Sequence, residues 1–237
     1  MITEVKDFER GVGLTRSIAS PDSRYSRQAS VVPEDKLSQH RVTVIGVGAI
    51  GRQVALQVTA IGAPWVQLID FDHVDEVNLP VQGFREEEIG QGKVFAVAKA
   101  MKELRAEVGI VTLCKPFKAS QLTDFGNVVF CCVDDIEIRG KIWKEVKDVV
   151  DVFIDGRMTA ESLRVISVTD EESREYYPTT LFKSEEAYQG SCTAKSTIYC
   201  ANIAAGVMVS QFTKTLRDIP VDRDVLLNLL SMEISVR

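Results

Sequence analysis

Short apolar runs and longer helical repeats of apolar residues alternate along most of the chain. The strings RVTVIG, WVQLID, IVTLCK, NVVFCC and VFID are rich in β-branched or aromatic residues, which predicts five strands. Between them, the segments 50–61, 93–107 and 136–150 repeat apolar residues at helical spacing, and 71–85 predicts a loop. Because strands alternate with helices, the pattern predicts an α/β fold with a Rossmann-like, doubly wound and mainly parallel sheet.

The two ends of the chain follow other patterns. Residues 1–40 are polar and weakly periodic, so they are interpreted as an N-terminal extension to a single domain at 41–237. Beyond Gly156, the string SLRVISVT predicts an additional strand, and 170–191 predicts an irregular crossover loop. A long C-terminal helix is predicted from Thr193 to Leu216, and VLLNLLSMEISV fits either a strand or a helix.

Composition narrows the functional classes. The chain has 28 Lys and Arg against 34 Asp and Glu, a formal net charge of −6 that disfavours an extended nucleic-acid surface. The first residues, MITEVKDFERGVG, lack a secretory signal pattern, and no apolar run approaches the roughly 20 residues of a membrane span. Five cysteines without a C-x-x-C pair exclude a four-cysteine zinc site and are typical of a reducing compartment, so a cytoplasmic location is expected.

A glycine-rich turn provides the first chemical signal. Gly46, Gly48 and Gly51 form G-x-G-x-x-G between a predicted strand and a predicted helix. Glycines allow a tight turn and a close approach to phosphate, and the helix N-terminus offers free N–H groups to an anion. The whole turn, with Ala49 and Ile50, is therefore a candidate nucleotide contact. A tight turn that binds no ligand is the alternative.

Carboxylates, an amide and a lysine follow the glycines. Asp70 ends the second strand, where a carboxylate can bind a ribose. A carboxylate that only caps the strand end is the alternative. The glycine turn and Asp70 fit both NAD and ATP. The additional presence of Asp72, Asn78, Lys93 and Asp134 favours phosphoryl chemistry, because charge that develops on phosphates must be met by cations.

Lys93 and Asp134 are the candidates for that neutralisation. Lys93, at the start of its predicted helix, is positioned to supply the cation. Asp134, just beyond the carboxyl end of NVVFCC, lies where open parallel sheets collect ligand groups, and its carboxylate suits Mg²⁺. Ordinary surface charge is the alternative for both residues.

Five strings carry a family resemblance: RYSRQ at 24–28, VTVIGVGAIG, LIDFDHVDEVNL, IGQGK ending at Lys93, and CVDDIEIR. Together they resemble the ThiF/MoeB/HesA family, relatives of the ubiquitin-activating enzymes, from Arg24 to about Leu216. The resemblance implies adenylation, with ATP and Mg²⁺, of the C-terminal carboxylate of a ubiquitin-like or sulfur-carrier protein. The carrier's tail is expected to end in small residues such as Gly-Gly.

The resemblance also implies roles for individual residues. It implies ATP binding by the glycines, Asp70 and Asn78, phosphate contact by Lys93 and a metal-linked role for Asp134. Arg27 resembles a residue that reaches the neighbouring subunit's ATP phosphates, which implies a homodimer. Residues 1–40 are then expected to contribute to the dimer and to the ATP site. Apart from the family resemblance, Arg27 would be interpreted as an ordinary surface arginine.

One position departs from the family pattern. Where the family usually has arginine in an N-L-x-R-Q string, this chain has Val81 within NLPVQ, and valine cannot contact phosphate. Either Arg27 and Lys93 suffice, or Arg85 substitutes from downstream, or the activity is altered.

Cys192, in the string QGSCTAKST, is the candidate nucleophile for a second step that would form a thioester or an acyl disulfide with the carrier. An acyl adenylate is open to attack by sulfur, and a following helix N-terminus with Lys195 nearby lowers a thiol pKa. By resemblance, Cys192 falls where ThiF-type enzymes carry the cysteine that conjugates to the carrier. A cysteine that only packs against the loop is the alternative.

Three other functions stay open at this stage. Some relatives activate modified tRNA as ATP-dependent dehydratases, although the acidic composition counts against that function here. Val81 motivates a non-catalytic nucleotide-binding scaffold. The glycine turn and Asp70 alone also fit an NAD(P)-dependent oxidoreductase.

Overall fold

An eight-stranded sheet organises the part of the chain that the computed structural model describes, residues 24–121, 126–182 and 196–237. The strand order is β3-β2-β1-β4-β5-β6-β7-β8, and the five strands from β3 to β5 are mutually parallel while β6, β7 and β8 each run antiparallel to their predecessor. This arrangement confirms the mainly parallel sheet with additional C-terminal strands. The strands are β1 Val42–Ile45, β2 Trp65–Ile69, β3 Gly109–Leu113, β4 Val128–Cys131, β5 Val152–Thr159, β6 Ser162–Val168, β7 Asp224–Asn228 and β8 Glu233–Val236.

Helices cover both faces of the sheet, as a doubly wound fold requires. On one face α2, α4 and α7 pack over Val44, Leu68 and Phe130, and on the other α5 places Trp143 beside Phe153. All four residues of β1 and of β4 are buried, which explains why these strands are uninterrupted apolar runs. The helices are α1 Glu34–Leu37, α2 Ala49–Ala60, α3 Leu79–Gln82, α4 Lys93–Leu104, α5 Ile136–Val146, α6 Glu171–Tyr176 and α7 Ile198–Leu216.

The long C-terminal helix α7 lies close against α2. Ala201, Ala204 and Ala205 are fully buried, and small side chains of this kind allow two helices to approach closely. A side-chain contact joins the helices where Gln57 Nε2 donates to the Asn202 carbonyl at 3.4 Å. Among the described residues, no helix combines the length and apolar character needed to cross a bilayer.

Residues 170–182, the described part of the predicted crossover loop, are more regular than the sequence suggested. The prediction of an irregular loop at 170–191 is wrong for its first part, because α6 and a 3₁₀ turn at Tyr177–Thr180 occupy it. Asp170 begins α6 by accepting a hydrogen bond from the Ser173 N–H at 2.8 Å, which is an N-cap. The predicted loop 71–85 likewise contains α3.

The C-terminal string that fitted either a strand or a helix forms the antiparallel hairpin β7–β8. Val225 pairs with Val236 and Leu227 with Ile234, so apolar residues alternate along one face of both strands. Met232, at φ +57°, lies between the two strands in the left-handed region.

Residues 24–40 pack against the main core. Val32 and Leu37 are buried in the same apolar cluster as α2, and the Gln28 side chain donates to the Ile61 carbonyl at 2.7 Å. The ring of Tyr25 lies against Gly62, at the end of α2. This segment is therefore continuous with the folded domain along its described part.

Candidate functional site

The glycine turn at 46–51 is dictated by close backbone packing. Gly46 has φ +81°, and a Cβ there would lie 2.9 Å from the Cys132 carbonyl carbon. A Cβ on Gly51 would lie 1.8 Å from the Gly46 carbonyl oxygen. Gly48 is different, because a Cβ there would first meet the Gln82 side chain at 3.6 Å. Gly46 and Gly51 thus shape the turn, and Gly48 leaves room above it.

Helix α2 begins directly at this turn. Gly48 is its N-cap and supplies no side-chain hydrogen bond, so the first N–H groups of α2 remain available to an anion. Ala49 is the first helical residue, whereas the Ile50 side chain is buried in the core. Of these two residues, Ile50 therefore offers a ligand its backbone only.

Asp70 fastens the turn to the end of β2. Its Oδ2 accepts a hydrogen bond from the Val47 N–H at 2.7 Å, and its Oδ1 accepts from the Asp72 N–H at 2.8 Å. Each carboxylate oxygen keeps a second lone pair for a ligand. Asp70 is consequently a structural support of the turn, whatever it binds.

Lys93 is held at the same edge of the sheet by Asp72. The Lys93 Nζ lies 2.9 Å from Asp72 Oδ2, and the Lys93 N–H donates to the Asp72 carbonyl at 2.9 Å. The lysine side chain is 7% exposed and the aspartate side chain 49% exposed. The structure thus brings together the glycines, Asp70, Asp72 and Lys93.

Asn78 and Asp134 occupy the neighbouring loops. Asn78 Oδ1 accepts a hydrogen bond from the Asp75 N–H at 3.0 Å, which caps the 3₁₀ turn at Glu76–Asn78. Asp134 follows β4 and is exposed, and among the described residues its carboxylate has no ion pair or hydrogen bond. The adjacent Asp135 caps α5 by accepting from the Ile138 N–H at 2.8 Å.

Metal binding at this edge would depend on few protein ligands. The described residues contain no group of three or more His, Cys, Asp or Glu that could hold a metal ion. Mg²⁺ needs no such group, since it commonly keeps several waters and is held by one or two carboxylates and substrate phosphates. The unpartnered carboxylate of Asp134 fits that kind of site.

A buried ion network that sequence reasoning missed lies under the ends of β4 and β5. Asp155 is fully buried and pairs with Arg139 and with Arg157, whose Nε lies 2.8 Å from Asp155 Oδ2. The Tyr177 hydroxyl donates to the same carboxylate at 2.9 Å, and Arg139 also donates to the Gly156 carbonyl at 3.0 Å. Burial lowers the pKa of both arginines and raises the pKa of Tyr177. The network braces the strand end that precedes Asp134.

Two arginines flank α3, and they differ in their partners. Arg85 is exposed, and its guanidinium lies 3.1 Å from Glu103 and 3.7 Å from Glu87. The Arg52 guanidinium instead lies over the Phe84 ring at 5.4 Å, and its Nε is buried without a hydrogen-bond partner among the residues that the structure describes. Burial lowers the pKa of Arg52, and this effect is partly offset by the negative charge of Glu88.

Burial makes three of the described cysteines poor nucleophiles. Cys131 is fully buried in β4 and Cys200 is buried in α7. Burial raises the pKa of both thiols, and it raises the pKa of Cys132 as well, so all three stay protonated at neutral pH. The candidate nucleophile Cys192 and its neighbour Lys195 lie outside the described residues.

Arg27 lies in a 3₁₀ turn at Ser26–Gln28 and is exposed. Among the described residues its guanidinium has no ion pair. Its reach into a neighbouring subunit stays a prediction, as do the ligand roles of the other site residues.

A sequence profile described as the ThiF family matches residues 25–236. The chain belongs to the ThiF family. This ThiF-family chain is 34% identical over 126 residues to a Bos taurus protein described as adenylyltransferase and sulfurtransferase MOCS3, a match that covers 49% of this chain and 28% of that protein. It is 25% identical over 128 residues to the molybdopterin-synthase adenylyltransferase of Haemophilus influenzae, covering 50% of this chain and 53% of that protein.

Solved structures show the same ThiF-type fold. The structure of E. coli MccB with ATP matches with a TM-score of 0.70 at 16% identity, covering 91% of this chain and 71% of that chain. At that identity the likeness concerns the fold. The chain spans only about a quarter of the length of the MOCS3 relatives and 53% of the length of the Haemophilus protein.

Proposed function

We propose that this protein adenylates the C-terminal carboxylate of a ubiquitin-like or sulfur-carrier protein, with ATP and Mg²⁺. The observation that carries the proposal is the joined arrangement of the glycine turn, Asp70, Asp72 and Lys93 at the carboxyl edge of the parallel strands. Ligands of open α/β sheets bind at this edge. Membership of the ThiF family, and the naming of two relatives as adenylyltransferases, support this chemistry.

In this proposal the turn and Lys93 act on the phosphates. The free N–H groups of α2 bind phosphate oxygens, and Lys93 neutralises charge at the α-phosphate. A carboxylate oxygen of the carrier attacks the α-phosphorus, the bond to the β-phosphate oxygen breaks, and pyrophosphate leaves with the negative charge. Magnesium at Asp134 would supply further neutralisation of the phosphates.

The proposal also includes a homodimer. Arg27 is exposed and has no ion pair among the described residues, so its charge is available to a second subunit. Residues 1–40 would then complete the partner's ATP site. The four described cysteines are free thiols, which supports our placing this activity in a reducing compartment such as the cytoplasm.

The test of adenylation is ATP–pyrophosphate exchange with Mg²⁺ and a panel of carriers that end in Gly-Gly. Asp134→Ala is expected to reduce carrier-dependent exchange roughly 10- to 100-fold, because the metal loses a protein contact. Asp148→Ala is the matched control, since Asp148 is an exposed aspartate that pairs with Lys147, and it should leave exchange unchanged. Exchange that is absent with every carrier would contradict the proposal and favour a tRNA substrate or a non-catalytic scaffold.

A second step at Cys192 gives a separate prediction. Its sulfur attacks the acyl carbon, a C–S bond forms, AMP leaves and the thiol proton passes to solvent. Cys192→Ala is therefore expected to abolish a thiol-labile thioester adduct between enzyme and carrier while ATP–pyrophosphate exchange continues. The measurement is a non-reducing gel after incubation with ATP and carrier. Cys114→Ala is the control, and an adduct that survives Cys192→Ala would show that another thiol, or none, is used.

A further inference from the structure

Arg52 is a guanidinium beside the glycine turn that no carboxylate pairs with among the described residues. It follows Gly51 in the first turn of α2. Its Nη1 lies 3.3 Å from the position that a Cβ on Gly83 would take, and its Nε is buried and has no hydrogen-bond partner in the described part of the chain. A buried donor without a partner destabilises the folded protein, and more so when it is charged. Its presence here calls for an anionic partner.

The other cations of this region already have such partners. Lys93 pairs with Asp72, and Arg85 pairs with Glu87 and Glu103. The buried arginines Arg139 and Arg157 share Asp155. Arg52 feels the charge of Glu88 but lies beyond ion-pair distance of it. Its charge is therefore the one left for a ligand in this group of five cations.

A second polar side chain beside the turn, that of Gln82, also has a buried atom without a hydrogen bond among the described residues. Gln82, at the end of α3, extends its amide over Gly48, and its Oε1 is buried without a hydrogen-bond partner within residues 24–121, 126–182 and 196–237. Gly83 follows it, and its missing side chain leaves the space beside Arg52 Nη1 open. The Gln82 amide oxygen thus lies close above the N-cap of α2, where the first N–H groups of the helix are free.

We propose that Arg52 binds the β- and γ-phosphates of ATP, an inference that rests on the adenylation proposed above. The α-phosphate is left to Lys93, as proposed above. A guanidinium presents paired N–H groups that match phosphate oxygens, which suits the terminal phosphates. Val81, on α3, adds no charge, so Arg52 supplies the cation on this side of the turn. ATP is consequently bound more tightly than AMP because of Arg52.

The test compares the Kd values of ATP and AMP by calorimetry in the wild type, Arg52→Gln and Arg85→Gln. Arg52→Gln is expected to raise the Kd of ATP about 10- to 100-fold, the loss of a charge-assisted contact, and to leave the Kd of AMP unchanged. Arg85→Gln should change neither value. Adding Val81→Arg to Arg52→Gln places a guanidinium on the facing helix and should recover ATP affinity.

Each other outcome is equally decisive. Equal weakening of ATP and AMP, or no weakening, shows that Arg52 only packs against Phe84. If Arg52→Gln loses its native circular dichroism, Arg52→Lys is used, and ATP affinity reduced without a change for AMP supports the contact. ATP binding without carrier-dependent exchange in the wild type overturns the carrier proposal alone, whereas no ATP binding overturns both.

Discussion

Replacing Lys93 with alanine is expected to lower the rate of ATP–pyrophosphate exchange about 10²- to 10³-fold, as for the loss of one preorganised charge-stabilising group. The Lys93 Nζ is held 2.9 Å from Asp72 at the first residue of α4, and its side chain is almost completely buried. Its charge is thus fixed in place before any ligand arrives. The loss should appear in kcat, which initial-rate exchange assays at saturating ATP would measure.

Lys99→Ala is the matched control for this prediction. Lys99 lies on the same helix and is exposed, so its removal changes net charge equally but leaves the turn untouched. Exchange by the Lys99 variant should equal that of the wild type. Equal losses in the two variants would mean that a general electrostatic effect, and not the position of Lys93, supports the reaction.

Gly51→Ala is expected to destabilise the fold by about 2–4 kcal/mol, which is the upper range for forcing atoms into a packed site. The new Cβ would lie 1.8 Å from the Gly46 carbonyl oxygen, so α2 and the turn must separate. Binding of ATP should be lost with the shape of the turn. Urea unfolding gives the free energy of unfolding, and titration with ATP gives the affinity.

Gly206→Ala separates this effect from a general response to alanine. Gly206 lies inside α7, and the nearest atom to an added Cβ is Gln57 Oε1 at 3.9 Å. Alanine is preferred to glycine within a helix by about 0.5–1 kcal/mol, so this variant should be as stable as the wild type or more so. Comparable destabilisation in both variants would contradict the steric explanation for Gly51.

The parallel half of the sheet could be predicted because its signals are local. Strands such as β1 and β4 are buried on both faces and therefore appear as continuous apolar runs, and the glycine turn marks where a strand meets a helix. The hairpin β7–β8 could not be assigned, because its residues 224–236 contain an apolar run with no clear period. Helix α6 was missed since its start depends on one cap, between Asp170 and Ser173, in a polar stretch.

The candidate site was predictable only where residues follow a motif. Asp70 and Lys93 lie at expected spacings after the glycines, and the structure places both beside the turn. Arg52 belongs to no pattern, and its relevance comes from a packing environment that the sequence does not show. The Asp155 network depends on Tyr177, which is 22 residues away and reaches the carboxylate only after β6 and α6 have folded back.

The chain of hydrogen bonds from Val47 to Asp70, then to Asp72 and Lys93, joins the turn mechanically to α4. The turn and the start of α4 therefore cannot move independently without breaking one of these bonds. By thermodynamic linkage, any ligand that prefers one position of the turn also favours the corresponding position of α4, and by the same factor in the reverse direction. A ligand bound at the turn therefore stabilises one position of α4, and holding α4 in that position strengthens binding of the ligand equally.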